Sequence, residues 1–125
     1  MLRSTDSGDS WSPQTSATEQ HLFGLWANNK GEAYAIGAKG TIMYSSDDGK
    51  TWATQKSGAK SHLFGIWGDD KEVIVVGYNG TILRSKDHKT WTKISSGTTE
   101  HLVSVWSDGA GKHYAVGAAG SVVQF

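Results

Sequence analysis

The chain repeats itself at an interval of about 40 residues, and this period restricts its fold more than any other feature. His21-Leu22-Phe23-Gly24-Leu25-Trp26 returns as His62-Leu63-Phe64-Gly65-Ile66-Trp67, and again as His101-Leu102-Val103-Ser104-Val105-Trp106. Gly37-Ala38-Lys39-Gly40, Gly77-Tyr78-Asn79-Gly80 and Gly117-Ala118-Ala119-Gly120 keep the same spacing, and so do Trp11, Trp52 and Trp91. Three independent markers on one interval mean that each period builds the same structural unit. The repeats run over about residues 1–40, 41–80 and 81–120, with a closing strand at 121–125, in a single domain spanning 1–125.

Each period reads as four short strands. An apolar stretch ends in Trp and meets a polar turn such as Gly68-Asp69-Asp70-Lys71; Val73-Ile74-Val75-Val76 follows and is closed by Gly77. The Gly-x-x-Gly turn leads into Thr81-Ile82-Leu83-Arg84-Ser85, and a further polar turn leads into Trp91-Thr92-Lys93-Ile94-Ser95. No window of a dozen residues keeps a 3.6-residue apolar period, so no helix is expected. Four strands in roughly 40–45 residues is the signature of a β-propeller blade. A single antiparallel barrel or sandwich is the competing architecture, but it does not require the same Trp and Gly in every fourth strand or turn. The expected fold class is therefore all-β: a β-propeller with three four-stranded blades per chain, its ring completed by oligomerisation.

Composition fits this reading. Sixteen glycines against one proline, with six tryptophans, suit many turns and aromatic packing. The chain has no cysteine, so neither disulfides nor thiolate metal sites hold it together. Lys and Arg equal Asp and Glu at 12 each, which removes the net positive charge expected of a nucleic-acid or anionic-membrane binder. No apolar run approaches the roughly 20 residues of a membrane span, and the N-terminus has no signal-peptide pattern. A soluble chain is expected, with its compartment open.

The link from third to fourth strand carries the sharpest motif. Ser45-Ser46-Asp47-Asp48-Gly49-Lys50-Thr51-Trp52 has the form Ser-x-Asp-x-Gly-x-Thr-Trp. Ser4, Asp6, Gly8, Ser10 and Trp11 make a second copy, with Ser10 for Thr; Ser85, Asp87 and Trp91 belong to a third, one residue shorter and lacking the glycine. These turns resemble the Asp box, or BNR repeat, of sialidase-type propellers. The His-Leu-Phe-Gly-x-Trp and Val-Gly-x-x-Gly-Thr-Ile strings are similar to propellers of the photosystem II assembly and stability factor type. The resemblance implies a propeller over nearly the whole chain, and by analogy a protein-binding scaffold. The box itself reads as structural: Asp accepts backbone N–H groups one and two residues on, glycine supplies a positive φ, and Trp packs back on the hairpin. One carboxylate per turn is too few for calcium, which takes six or more oxygens.

Three blades do not close a ring, since propellers typically have 4–8. Ser121-Val122-Val123-Gln124-Phe125 aligns with Thr41-Ile42-Met43-Tyr44-Ser45, a third strand, while the N-terminus begins where that strand ends. The last blade thus lacks its outer strand and the first residues supply one. The expected closure is between chains: Ser10, Trp11 and Ser12 of one subunit against Val122, Val123 and Phe125 of the next, a head-to-tail contact. Two chains give six blades, the favoured dimer; three give nine. A start in mid-blade is that of a fragment or of an engineered propeller, with a short natural gene as the alternative.

No catalytic constellation is expected. The sialidase resemblance implies three clustered arginines with a Tyr nucleophile and a Glu, but this chain has only Arg3 and Arg84, on separate repeats. Tyr34, Tyr44, Tyr78 and Tyr114 lie in strand repeats and read as packing. His21, His62 and His101 form a series on the inner strand, too far apart to converge on one metal; each is expected to hydrogen-bond a neighbouring turn or blade. His88 and His113 fall outside the series and read as surface residues. No metal, cofactor or catalytic residue is assigned, and the expected partner is a second copy of the chain. The loops Asn28-Asn29-Lys30-Gly31, Gly68-Asp69-Asp70-Lys71 and Ser107-Asp108-Gly109-Ala110 read as solvated turns. As a binding rim they would suit a peptide, or a glycan in the competing lectin-like reading.

Overall fold

The computed structural model describes residues 1–125 as thirteen short strands and no α-helix. The first blade is the antiparallel sheet of β3 (Leu22–Ala27), β4 (Ala33–Gly37), β5 (Ile42–Ser45) and β6 (Ala53–Gln55), paired in chain order. The second repeats it with β7 (Leu63–Gly68), β8 (Val73–Gly77), β9 (Ile82–Ser85) and β10 (Thr92–Ile94). The third has only β11 (Leu102–Ser107), β12 (His113–Gly117) and β13 (Val122–Gln124). A separate hairpin, β1 (Leu2–Arg3) with β2 (Ser12–Pro13), precedes them all.

The chain is therefore an all-β propeller segment, but its blades are not three equal sheets of four. Two are complete, one has three strands, and one is an outer hairpin. The 40-residue sequence periods are out of phase with the sheets, so 1–40 ends and 41–80 begins inside the first blade. Blade order follows from the pairing rule: neighbouring strands in sequence pair by tight turns, which keeps every contact within a sheet local.

The Gly-x-x-Gly segments form single 3-10 turns at Ala38–Gly40, Tyr78–Gly80 and Ala118–Gly120. Their third residues sit in the left-handed region: Lys39 at φ 55°, Asn79 at 56° and Ala119 at 54°. The glycine that opens each turn is needed for space and not for φ. A Cβ on Gly77 would lie 2.1 Å from the His62 carbonyl oxygen, and on Gly37 2.0 Å from that of His21.

Packing is between blades. Tyr34, Ile36 and Ile42 of the first blade meet Leu63, Val73, Val75 and Leu83 of the second in one buried cluster. Ile74, Val76 and Ile82 of the second blade meet Leu102, Val105 and Ala115 of the third in another. The even alternation of the strands gives each sheet two apolar faces, one for each neighbour. No helix is long and apolar enough to cross a membrane.

Candidate functional site

The two internal blade junctions show what a blade face requires. Trp26 packs onto Gly68 of the next blade, where a Cβ would come within 2.8 Å of the indole. Tyr34 is fully buried, its ring edge-on to Trp91 at 5.7 Å, and its hydroxyl donates to the His88 carbonyl at 2.9 Å. Burial raises the Tyr34 phenol well above its ordinary range, which keeps the hydroxyl a donor. Gln55 stitches the same junction: its amide donates to the His88 carbonyl and its oxygen accepts from the Trp91 indole. In the second junction Trp67 lies 5.7 Å from His113, which is 1% exposed.

The imidazole series is a blade-to-blade latch. His62 Nδ1 accepts from the Lys39 backbone N–H at 3.0 Å, and His101 Nδ1 accepts from that of Asn79 at 3.1 Å. Each pairs with the left-handed residue of the preceding blade's turn. His21 has no preceding turn to receive, and the Ala119 turn has no following histidine.

His113 corrects the sequence reading, which placed it on the surface. It occupies the repeat position of Val73, inside the junction, where Glu72 of the preceding blade reaches it. Glu72 lies 2.8 Å from His113 Nε2 and 2.9 Å from Arg84 Nε, while His113 Nδ1 is buried without a partner. His88 is half-buried as well, in the turn that receives Tyr34.

The Ser-x-Asp turns are self-contained. Ser45 accepts from the Gly49 N–H at 2.9 Å and donates to Asp47, and Asp47 accepts both the N–H and the hydroxyl of Thr51. Ser4, Gly8, Asp6 and Ser10 repeat this set. The Asp thus reaches four residues on, not one or two as expected, because the glycine adds a left-handed step that brings that N–H back. Only in the shorter turn does Asp87 bond nearer N–H groups, those of Lys89 and Thr90. The Ser10 and Thr51 hydroxyls, then their N–H groups, lower the Asp6 and Asp47 carboxyls to about 2. The Thr90 N–H and hydroxyl depress Asp87 also. Trp11 and Trp52 donate their indole N–H to the Gly8 and Gly49 carbonyls at 3.1 Å; Trp91, lacking that glycine, turns to Gln55 instead.

The loops between first and second strands are also internally bonded. Asn28, Asp69 and Asp108 each accept two backbone N–H groups of their own turn. No three His, Asp or Glu side chains converge.

What remains unpaired is at the two flanks. At equivalent positions Ile42 and Ile82 are 1% and 0% exposed, but Val122 is 70% exposed. Trp26 and Trp67 are half-buried and Trp106 lies open, with Val103 and Val116 beside it. At the other flank Leu25 and Trp11 are exposed around the N-terminal hairpin, while Phe23, partly exposed, leans 5.1 Å onto Phe64 of the second blade. Of the predicted closure residues, Val122 lies on the free face. Val123 and Phe125 pack inward on the second junction, Phe125 5.2 Å from His113. Ser12 is already paired, with Arg3. Tyr114 reads from the sequence as packing and Trp106 as a repeat marker, the third member of the Trp26 series; neither reading signals that Trp106 lies exposed at this flank.

The model of the DUF6242 beta propeller domain matches residues 1–101. The chain belongs to that family. Among solved structures, a DUF6242-type segment of this length is similar to "YCF48 from Cyanidioschyzon merolae", with 18% identity and a TM-score of 0.78 over 99% of this chain and 43% of that one. It is also similar to "YCF48 bound to D1 peptide", with 15% identity and a TM-score of 0.75 over 86% of this chain and 37% of that one. At this identity the likeness concerns the fold, and the chain spans less than half of either structure. No curated protein matches the sequence.

Proposed function

We propose that this 125-residue DUF6242-type chain is a non-catalytic propeller segment that associates head to tail with copies of itself into a closed ring, six blades as a dimer in preference to nine as a trimer. The observation that carries the reading is the contrast among equivalent residues. Side chains shut away at both internal junctions, at Ile42 and Ile82, are open at Val122, although the sequence there is just as apolar. An apolar sheet face of this kind is an interaction surface. Its shape and chemistry are those of a blade that expects another blade. The turns of the Asp-box type serve as rigid corners in this reading, with their carboxylates spent on their own backbone.

The test is Val122→Lys. It alters a side chain that touches little within the chain and would face the neighbour. The variant is expected to run as a single chain in light scattering at concentrations where the parent associates, with its thermal unfolding little changed. Equal association of the two would contradict the reading.

A second reading is peptide binding. It draws on the similar fold of the structure described as YCF48 bound to D1 peptide, and it makes the assembled ring a scaffold for an extended polypeptide. A lectin-like role is the alternative, for which saturable binding on a glycan array, abolished by mutation of the Asn28–Gly31 loop, is the discriminating result.

A further inference from the structure

Beneath the N-terminal hairpin lies a cavity of about 330 Å3, lined by Leu2, Trp11, Leu25, Ala27, Asp48 and Trp52 among others. We propose that it is the receptor for Trp106 and Tyr114 of a second copy, and that β1 holds the place of that copy's β13 until it arrives. The proposal rests on the head-to-tail reading above and specifies its contact.

The first internal junction is the template. Ala27 stands where Gly68 stands, Trp52 where Trp91 stands, and Asp48 where His88 stands, the last two both at φ 60°. There the space is filled by Trp26 and Tyr34, and the turn carbonyl of His88 accepts the Tyr34 hydroxyl. The third blade carries the same aromatic pair in the same pose. Trp106 and Tyr114 are 6.2 Å apart at 32°, against 6.1 Å and 39° for Trp26 and Tyr34. The second blade has Ile74 in place of the Tyr, and the third blade offers it no such turn carbonyl. A hydroxyl is thus found on the blades that face, or would face, a carbonyl able to receive it. The plug is formed before binding, which lowers the ordering cost of association.

The latch residues agree. Ala119 offers a turn N–H of the kind that His62 and His101 accept, and His21 is the histidine without a donor. Gly120 has open space where Gly40 and Gly80 meet the Ala59 and Thr98 carbonyls; Thr18 is the corresponding residue of an incoming copy.

β1 stands in the way. Leu2 pairs with Pro13 as Met43 pairs with Thr54, so β1 fills the third-strand position that β13 fills in the third blade. The Gln14 N–H donates to the Met1 carbonyl, and Arg3 Nε donates to the Asp48 carbonyl at 2.8 Å, the acceptor that Tyr114 needs. Both strands cannot occupy one place. On arrival of the second copy, the Gln14 N–H passes from Met1 to Val122, and the Asp48 carbonyl passes from Arg3 to the Tyr114 hydroxyl. Both of these hydrogen bonds have a successor. The net gain is burial of Trp106, Val116 and Val122. Pro13 costs no ladder bond, because it stands opposite Val123, whose own N–H faces β12. Two residues depart from the template. Ala27 carries the Cβ that Gly68 lacks, which in the Trp26 pose would come 2.8 Å from the incoming indole, so Trp106 must seat slightly shallower than Trp26 does. Ser104 is the other. It replaces Gly24 and Gly65, whose Cβ positions lie within 3.0 Å of the next blade's carbonyl, so the incoming inner strand must sit slightly farther out.

Four full-length variants test this by sedimentation equilibrium beside the parent chain. Trp106→Ser spoils the plug and Ala27→Trp blocks the socket; each is expected to weaken association about 30-fold or more. An equimolar mixture of those two is expected to form a two-chain species, since one retains the socket and the other the plug. Tyr114→Phe is expected to weaken association about tenfold, and Arg3→Ala to tighten it several-fold by freeing the acceptor. If the parent associates but Trp106→Ser matches it, or the mixture stays monomeric, or Arg3→Ala fails to tighten association, the socket and strand exchange are overturned while self-assembly stands. A parent chain that never associates overturns both.

Discussion

Trp26 lies so close to Gly68 that a Cβ on the glycine would meet the indole at 2.8 Å. The contact joins two blades through a tryptophan of one and the bare backbone of the other. Gly68→Ala forces the indole or the strand to move, and overpacking of this kind costs about 1–3 kcal/mol. Urea unfolding should show a lower midpoint with an unchanged slope. An unaltered midpoint would mean that the junction is looser than its geometry.

The charged group inside the second junction gives an effect of similar size. Glu72→Ala strips the partner from Arg84 and from His113, which is 1% exposed. Loss of a close ion-pair partner at a largely buried site costs about 2 kcal/mol. Thermal unfolding should reveal it as a clear fall in midpoint. Glu72→Gln, which keeps the reach, should fall less.

Acid stability follows from the turn aspartates. Asp6 and Asp47 are held at about 2, and Asp87 is also depressed, whereas an unfolded Asp titrates near 3.9. The unfolded chain therefore binds protons first. The contribution of these groups is whole above about pH 5 and is lost as pH falls from about 4 through 2. Melting temperatures measured across that range should decline with pH, and Asp47→Asn should start lower at neutral pH and decline less. A profile flat down to pH 2 would contradict the turn geometry.

Ala119 holds φ 54° in a turn where the second blade uses Asn79 at 56°. A left-handed alanine costs about 1–2 kcal/mol, and Asn bears that conformation better. Ala119→Asn is expected to raise stability by about 0.5–1 kcal/mol, read as a higher urea midpoint. A loss of stability would show that the alanine methyl makes a contact of its own.

Much of this architecture is written in the repeat. Glycine positions, strand order and the inner histidine series recur on one period because each blade solves the same local problem. What lies between blades is harder to read. His113 sits at a position that holds alanine and valine in the other blades, and its partner Glu72 comes from the neighbouring repeat, so no local pattern signals its burial. The reach of Asp47 to Thr51 depends on the path of a left-handed backbone, which residue types alone do not state. The overlap of β1 with β13 does not show in the sequence, where the N-terminus reads as beginning as that strand ends; the observed β1–β2 pairing reveals it.

Native mass spectrometry of the 125-residue chain at micromolar concentration tests the central claim most directly. The account predicts a discrete species of two chains, with three as the alternative closed ring, and no ladder of larger multiples. A solitary 13.4 kDa chain that persists as concentration rises would contradict it.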